Sequence, residues 1–207
     1  MISHSKRFIF THIPKTAGTS VSSVLSQYGI FLQGKQNFES VYFKHLEACR
    51  LKTTMGDEFE NYFRFSFVRS PWTWLVSNYE YNRGLHRPFV RKSHYGVYGC
   101  IPEWAEKMNF SNWVPWWIET FRPSQCSMLV DADGKLLMNE VYKFESLAYD
   151  FEKLCDRLEI VTEGQLPHLI VSSRSKDIRE YYDDATRELV AKHFARDFEL
   201  FGYSTEL

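Results

Sequence analysis

The chain has 207 residues, of which 44% are hydrophobic and 25% are charged, as is typical of a globular protein. Its 25 Lys and Arg residues balance 26 Asp and Glu residues, so the formal net charge is −1. This balance disfavours a globally basic nucleic-acid binder, and the composition excludes a disordered, collagen-like or coiled-coil chain. The length predicts one domain over residues 1–207.

Neither a membrane span nor a cysteine motif is visible in the sequence. No apolar run approaches the roughly 18 residues that a span needs, and Phe8–Phe10 is too short for a signal-peptide core. The four cysteines are scattered without a C-x-x-C pair, which argues against a zinc or redox motif. We therefore expect a soluble, unexported chain with reduced thiols and no metal.

The first predicted elements are a strand, a loop and a helix. Phe8–Ile13 is an apolar run of aromatic and branched residues that ends at Pro14, which is typical of a buried strand. After a loop, apolar residues recur at helical spacing from Thr19 to Tyr28, and Gly29 is a suitable stop for that helix.

Residues 38–50 allow two interpretations: one helix, or a short strand near Val41 followed by a helix that begins after His45. Residues 63–68, with Phe at alternate positions, predict a second strand. Ser70-Pro71 then supplies the N-cap and first-turn residues of a helix that continues to about residue 81.

The second half of the chain predicts shorter elements. Residues 83–100 lack a period and predict a long loop, residues 102–108 predict a short helix, and residues 113–121 are too aromatic to assign. A turn at residues 131–134 is predicted between two short strands, Met128–Val130 and Leu136–Met138.

Further elements complete the alternation of strands and helices. Val141–Phe144 predicts a strand, and a helix follows from about Ser146. A polar loop is predicted over residues 162–176, and a last helix begins near Asp183. Strands that alternate with helices indicate an α/β fold with a mostly parallel sheet.

The segment T-H-I-P-K-T-A-G-T-S, residues 11–20, has the composition of an anion site. Its loop leads into a helix, and the unpaired N–H groups and the dipole at the start of that helix favour an anion. Lys15 adds a positive charge, Gly18 permits close approach of the backbone to a ligand, and three hydroxyl groups are at hand. The lysine precedes the glycine, so this is not the nucleotide P-loop G-x-x-x-x-G-K-[ST]. An ordinary turn before a helix capped by Thr19 is the alternative interpretation.

Arg69 ends a predicted strand where the next helix begins, which is where open α/β sheets bind ligands. An arginine side chain presents a two-pronged donor to phosphate. Ser77 lies on the helix that follows. Taken alone, the pattern is that of a surface arginine at the end of a strand.

Together, these two segments resemble the sulfotransferases that use 3′-phosphoadenosine 5′-phosphosulfate (PAPS). Residues 12–20 resemble the family's 5′-phosphosulfate loop, H-I-P-K-T-A/G-G-T-S, and residues 67–77 resemble its 3′-phosphate motif, F-V-R-[ND]-P-[FYW]-[DE]-R-L-V-S. The match favours the carbohydrate branch, sulfotransferase family 2, which includes heparan sulfate 2-O- and chondroitin 4-O-sulfotransferases. Residues 142–147 and 197–203 resemble two further family segments. Ser70, Thr73 and Trp74 depart from the second motif, where the family has Asn or Asp, an acid and Arg.

The resemblance implies an α/β fold like that of the P-loop NTPases, with a central parallel sheet flanked by helices in three layers. It implies transfer of a sulfuryl group from PAPS to a hydroxyl, with 3′-phosphoadenosine 5′-phosphate (PAP) as product and no metal. Lys15 would contact the 5′-phosphate and the bridging oxygen, and Arg69 and Ser77 would hold the 3′-phosphate. Arg174 lies where family members close over the nucleotide. The residues that would cradle the 5′ group are Lys15, Thr16, Ala17, Gly18, Thr19 and Ser20.

The resemblance also implies a general base. His45 matches a histidine that precedes the 3′-phosphate strand in this branch, and histidine titrates near neutral pH. The pattern alone equally allows a core histidine on an apolar helical face. His12 is expected to orient the loop rather than act as base, and Glu47 and Glu58 are the alternative bases.

The expected acceptor is a carbohydrate or another hydroxyl compound, and no nucleic-acid partner is expected. Basic and aromatic residues alternate over residues 83–98, which suits an anionic sugar chain or, equally, a solvated loop. Animal members of the family are Golgi membrane proteins, whereas this chain has no anchor, so we expect a bacterial-type cytoplasmic enzyme or a domain of a longer protein. A nucleotide kinase or ATPase, and a non-catalytic nucleotide- or glycan-binding relative, are the alternative functions.

Overall fold

A computed structural model of the chain describes residues 1–30, 45–84, 103–162 and 177–207. The backbone forms two compact units. The first unit takes Met1–Arg69 and Gln125–Val171, and the second takes Ser70–Ser124 and Ser172–Leu207. Each unit is therefore assembled from two separate stretches of chain, and the single domain over residues 1–207 stays a prediction.

The sheet lies in the first unit. Its strands, in spatial order, are β1 (Ile2–Ser3), β2 (Phe8–Thr11), β3 (Phe63–Val68) and β4 (Glu140–Lys143). β2, β3 and β4 run parallel, and β1 pairs antiparallel with β2 at the edge. The predicted α/β class with a mostly parallel sheet is confirmed, whereas the two-residue strand β1 was not predicted.

Helices flank this sheet within the first unit, and others build the second unit. In chain order they are α1 (Gly18–Leu25), α2 (Ala48–Met55), α3 (Pro71–Gly84), α4 (Glu103–Glu106), α5 (Phe110–Phe121), α6 (Leu147–Arg157), α7 (Asp184–His193) and α8 (Ala195–Phe201). Four short 3₁₀ turns lie among the described residues, at Gly56–Asn61, Cys126–Met128, Phe144–Ser146 and Ile178–Tyr181. No helix of the described ranges is long and apolar enough to cross a membrane.

One face of the sheet carries the core of the first unit. Side chains alternate along a strand, so Phe8 and Phe10 of β2 share a face with Phe65 and Phe67 of β3. The rings of Phe10 and Phe65 stack with centroids 5.1 Å apart. α1 and α6 cover this face with the side chains of Val21, Leu25, Phe151, Leu154 and Cys155. This packing fixes the ends of β2 and β3, and the residues of the candidate site follow directly from those ends.

Aromatic side chains dominate the core of the second unit. Trp74 of α3 meets Trp117 of α5 and Phe194 edge-on, with centroids 5.8 Å and 6.0 Å away. α5 could not be assigned from its sequence because it is largely apolar and contains Pro115. Asp183 caps α7 with a capping box, as the predicted start of the last helix requires.

The end of the first helix and the two short strands differ from expectation. The first helix ends at Leu25 rather than at Gly29, since the chain leaves the helix through a turn that bonds Gly29 N–H to the Leu25 carbonyl. The two predicted short strands reduce to a single bridge between Val130 and Leu136. The predicted turn between them is present, and Asp131 Oδ1 stabilises it by accepting two backbone N–H groups. Most of the predicted loops at residues 83–100 and 162–176 lies outside the described residues.

Candidate functional site

The loop between β2 and α1 has an unusual backbone. Lys15 and Ala17 have φ values of 66° and 63°, and Thr16 between them has a negative φ. A left-handed residue on either side of a residue with negative φ is a backbone pattern that can turn successive N–H groups toward one side, as in the nests that bind anions. A non-glycine residue in the left-handed region costs roughly 1–2 kcal/mol, so the surroundings must hold this loop in place.

Side-chain donors hold two carbonyl oxygens of the loop. The buried Thr16 hydroxyl donates to the Ile13 carbonyl at 2.8 Å. Arg69 Nη1 donates to the Lys15 carbonyl at 3.3 Å. The proton of the Thr16 hydroxyl is thus committed to the loop, and what Thr16 can offer an anion is its backbone N–H.

Gly18, the first residue of α1, lies directly against the imidazole of His12. A Cβ atom at Gly18 would be 1.8 Å from Cδ2 and 2.0 Å from Nε2 of His12, closer than any side chain permits. The His12 ring is buried and stacks on Phe10 with centroids 5.6 Å apart and planes 13° apart. Glycine is therefore required at this position by packing of the protein itself, in addition to any approach of a ligand.

His45 has the geometry of an oriented base. Its Nδ1 lies 2.9 Å from the carbonyl oxygen of His12, and its ring is 4.5 Å from the His12 ring. A carbonyl oxygen only accepts, so Nδ1 carries the proton and the lone pair of the neutral ring is on Nε2. His45 is half-buried and precedes α2, so the described part of this region matches the interpretation with a helix after His45.

Arg69 is fixed through both its backbone and its side chain. Its N–H donates to Gln125 Oε1 at 2.9 Å, and Gln125 Nε2 donates to its carbonyl at 2.7 Å. Its guanidinium carbon lies 4.1 Å from the ring centroid of Phe144. Arg69 is only 4% exposed and Gln125 is fully buried, so this arginine is a built-in part of the first unit rather than a surface residue.

Gln125 and Phe144 are the residues that the sequence alone did not identify. Phe144 lies within residues 142–147, which resemble a family segment, so a signal was available for it. Gln125 is 56 positions from Arg69, and nothing in the local pattern around it indicates this contact.

The first unit brings together the loop, the first turn of α1, His45 and Arg69. Thr19 is half-buried and Ser20 buried in the first turn of α1. Ser77 is buried in α3 of the second unit, and Arg174 lies outside the described residues, so both assignments stay predictions.

The two alternative bases have surface positions. Glu47 precedes α2 and pairs with Arg50 at 3.4 Å, and Glu58 is exposed on a 3₁₀ turn. Within the residues that the structure describes, no cluster of three or more His, Cys, Asp or Glu side chains could hold a metal ion.

A family model described as the sulfotransferase family matches residues 1–204. No curated protein and no solved structure matches the chain. The matched span contains the β2–α1 loop, His45, Arg69 and Gln125, and covers nearly all of the 207 residues. The chain therefore belongs to the sulfotransferase family.

Proposed function

We propose that this sulfotransferase uses PAPS as its donor and sulfates a hydroxyl group of a carbohydrate. The observation that carries the proposal is the loop at Lys15–Gly18, where left-handed residues have the backbone pattern of an anion nest at the start of α1. PAPS carries two separate anionic groups, and the loop region of the first unit contains two cationic residues, Lys15 and the buried Arg69. The residues present therefore fit such a donor.

Each cation has a distinct task in this proposal. Lys15 offers a compact positive charge that can neutralise charge developing on the 5′-phosphate oxygen as it leaves. Arg69 offers a planar fork to the 3′-phosphate, and the stack on Phe144 orients its guanidinium. PAPS supplies an activated sulfuryl group, whose bond to the 5′-phosphate oxygen breaks as the bond to the acceptor oxygen forms.

His45 takes the proton of the acceptor hydroxyl. Its Nε2 holds the lone pair because the His12 carbonyl binds Nδ1–H. The same carbonyl stabilises the imidazolium once Nε2 is protonated, since it accepts a hydrogen bond from a now charged ring. The carbohydrate acceptor rests on the resemblance of residues 12–20 and 67–77 to the carbohydrate branch.

A calorimetric titration with PAP, beside AMP and ATP with Mg²⁺, tests the donor without knowledge of the acceptor. We expect micromolar binding of PAP that is lost with AMP, which lacks the 3′-phosphate. A preference for ATP with Mg²⁺ would move the protein to the kinase class. Tight PAP binding without transfer to any acceptor would favour a non-catalytic relative.

Substitutions test which residue binds the 3′-phosphate and which binds the 5′-phosphate of the donor. Arg69→Ala should remove about 3 kcal/mol of charge-assisted bonding, or about 150-fold in PAP affinity. Arg64→Ala is the matched control, because Arg64 lies on β3, the strand that Arg69 follows, and its guanidinium bonds Glu60 and the Leu137 carbonyl. That variant should lose stability and keep PAP affinity. Lys15→Ala should abolish transfer, and near-normal turnover would exclude the role of Lys15.

A further inference from the structure

His12 contacts both the predicted anion loop and the proposed base His45. It follows β2, whose last residue is Thr11, so the sheet fixes its position. Its side chain lies against Gly18 at the start of α1, and its main-chain carbonyl binds the ring of His45. One residue thus contacts the anion loop through one group and the base through another.

The imidazole of His12 packs between the first residue of α1 and the rings of two neighbouring side chains. Three of its ring atoms would lie within 2.6 Å of a Cβ at Gly18, and the rings of Phe10 and His45 are its further neighbours. The ring is 3% exposed. Because this space is filled on several sides, the ring cannot shift without moving the first turn of α1 or the ring of His45.

The carbonyl of His12 sets the direction of His45. A main-chain oxygen cannot be removed by substitution, yet its direction depends on the backbone of residue 12, which the packed ring anchors. A change of the His12 side chain therefore reaches His45 Nδ1 through the 2.9 Å hydrogen bond.

We propose that His12 is a positioning residue that couples the geometry of the anion loop to the orientation of the base His45. The inference rests on the proposed function. It predicts that one side chain, which is neither the base nor a donor ligand in the proposal, controls both PAP affinity and turnover. If His12 were only structural, its substitution would lower stability without changing PAP affinity or turnover.

The contact between His12 and Gly18 can be tested by paired substitutions. Gly18→Ala alone should lower the Tm by roughly 5–10 °C and weaken PAP binding, because the new methyl group collides with the imidazole. His12→Ala removes the obstacle but also a packed ring, so the double variant should lose less Tm and less PAP affinity than the two single variants together. Gly29→Ala is the matched control: its Cβ would lie 3.0 Å from the Ile2 carbonyl oxygen, and His12→Ala should not rescue it.

Turnover tests the coupling to the base. At saturating donor, His12→Ala should lower kcat by about 100-fold, the loss typical of a catalytic group displaced by about 1 Å. His12→Phe keeps a planar ring in this position and should recover most of that loss. Gly29→Ala should leave kcat unchanged.

The possible results separate the inference from the proposed function. Additive Tm effects of Gly18→Ala and His12→Ala would refute the contact. Rescue of Tm without parallel changes in PAP affinity and kcat would leave His12 a structural residue and refute the coupling. Failure of the unmodified protein to bind PAP or transfer sulfate would overturn the proposed function, and the coupling with it, while the Tm comparison would still report on the contact.

Discussion

Replacing Gln125 with leucine tests how far Arg69 depends on a single buried amide. The amide accepts from Arg69 N–H at 2.9 Å and donates to the Arg69 carbonyl at 2.7 Å, in a fully buried position. Leucine fills a similar volume but leaves a donor and an acceptor unsatisfied, each at about 1–3 kcal/mol. Because the site can relax, we expect a loss of about 3 kcal/mol, or roughly 6–12 °C in Tm for a chain of this size.

Urea unfolding followed by circular dichroism gives the free energy of unfolding directly. Gln27→Leu is the matched control, since its exposed amide makes only a 3.4 Å bond to the Val24 carbonyl and its loss should cost under about 0.5 kcal/mol. PAP affinity should fall with Gln125→Leu and not with Gln27→Leu, because the direction of the Arg69 side chain follows its backbone. Equal unfolding midpoints for the two variants would refute the view that Gln125 holds Arg69.

Three further results are expected. His45→Ala should lower kcat by about 10²–10⁴ with unchanged PAP affinity; a variant that fails to fold would instead indicate a core histidine. Burial raises the pKa of Cys155 to about 11, so alkylation at pH 8, followed by peptide mass spectrometry, should label Cys49 well before Cys155, and equal rates in the folded protein would contradict this. Hydrogen bonds from Thr186 lower the pKa of Asp183 to about 2, so its stabilisation is complete above about pH 4 and lost between about pH 4 and 2. The Tm advantage over Asp183→Ala should shrink across that range, and a constant difference would exclude this cause.

Local pattern was enough to predict the strands and helices that surround the site. β3 was predicted at its observed bounds because Phe63, Phe65 and Phe67 alternate, and α3 because Ser70-Pro71 marks a helix start. The same reasoning placed a loop between β2 and α1, as observed, and its assignment as an anion site stays a prediction. These features depend on neighbours in the sequence, which is why they can be recognised there.

Contacts between distant residues could not be predicted in this way. The hydrogen bonds between Gln125 and the Arg69 backbone join positions 56 apart, and the bond between His45 and His12 joins positions 33 apart. Gly18 was interpreted as room for a ligand, whereas the structure also places the imidazole of His12 against it. The first two of these contacts exist only once the folded first unit has brought distant stretches of the chain together.

The left-handed backbone of Ala17 explains an interchange seen in the loop motif, where this position is Ala or Gly. Alanine at a φ of 63° strains the folded chain by roughly 1–2 kcal/mol relative to glycine. Glycine avoids that strain but gives the unfolded chain more conformations, which costs stability of about 0.4–1 kcal/mol. The two effects oppose each other and leave a net preference for glycine of about 0–1.6 kcal/mol. What also differs is the rigidity of the nest before a ligand arrives: an alanine restricts the conformations of the empty loop, and a glycine lets it sample more of them.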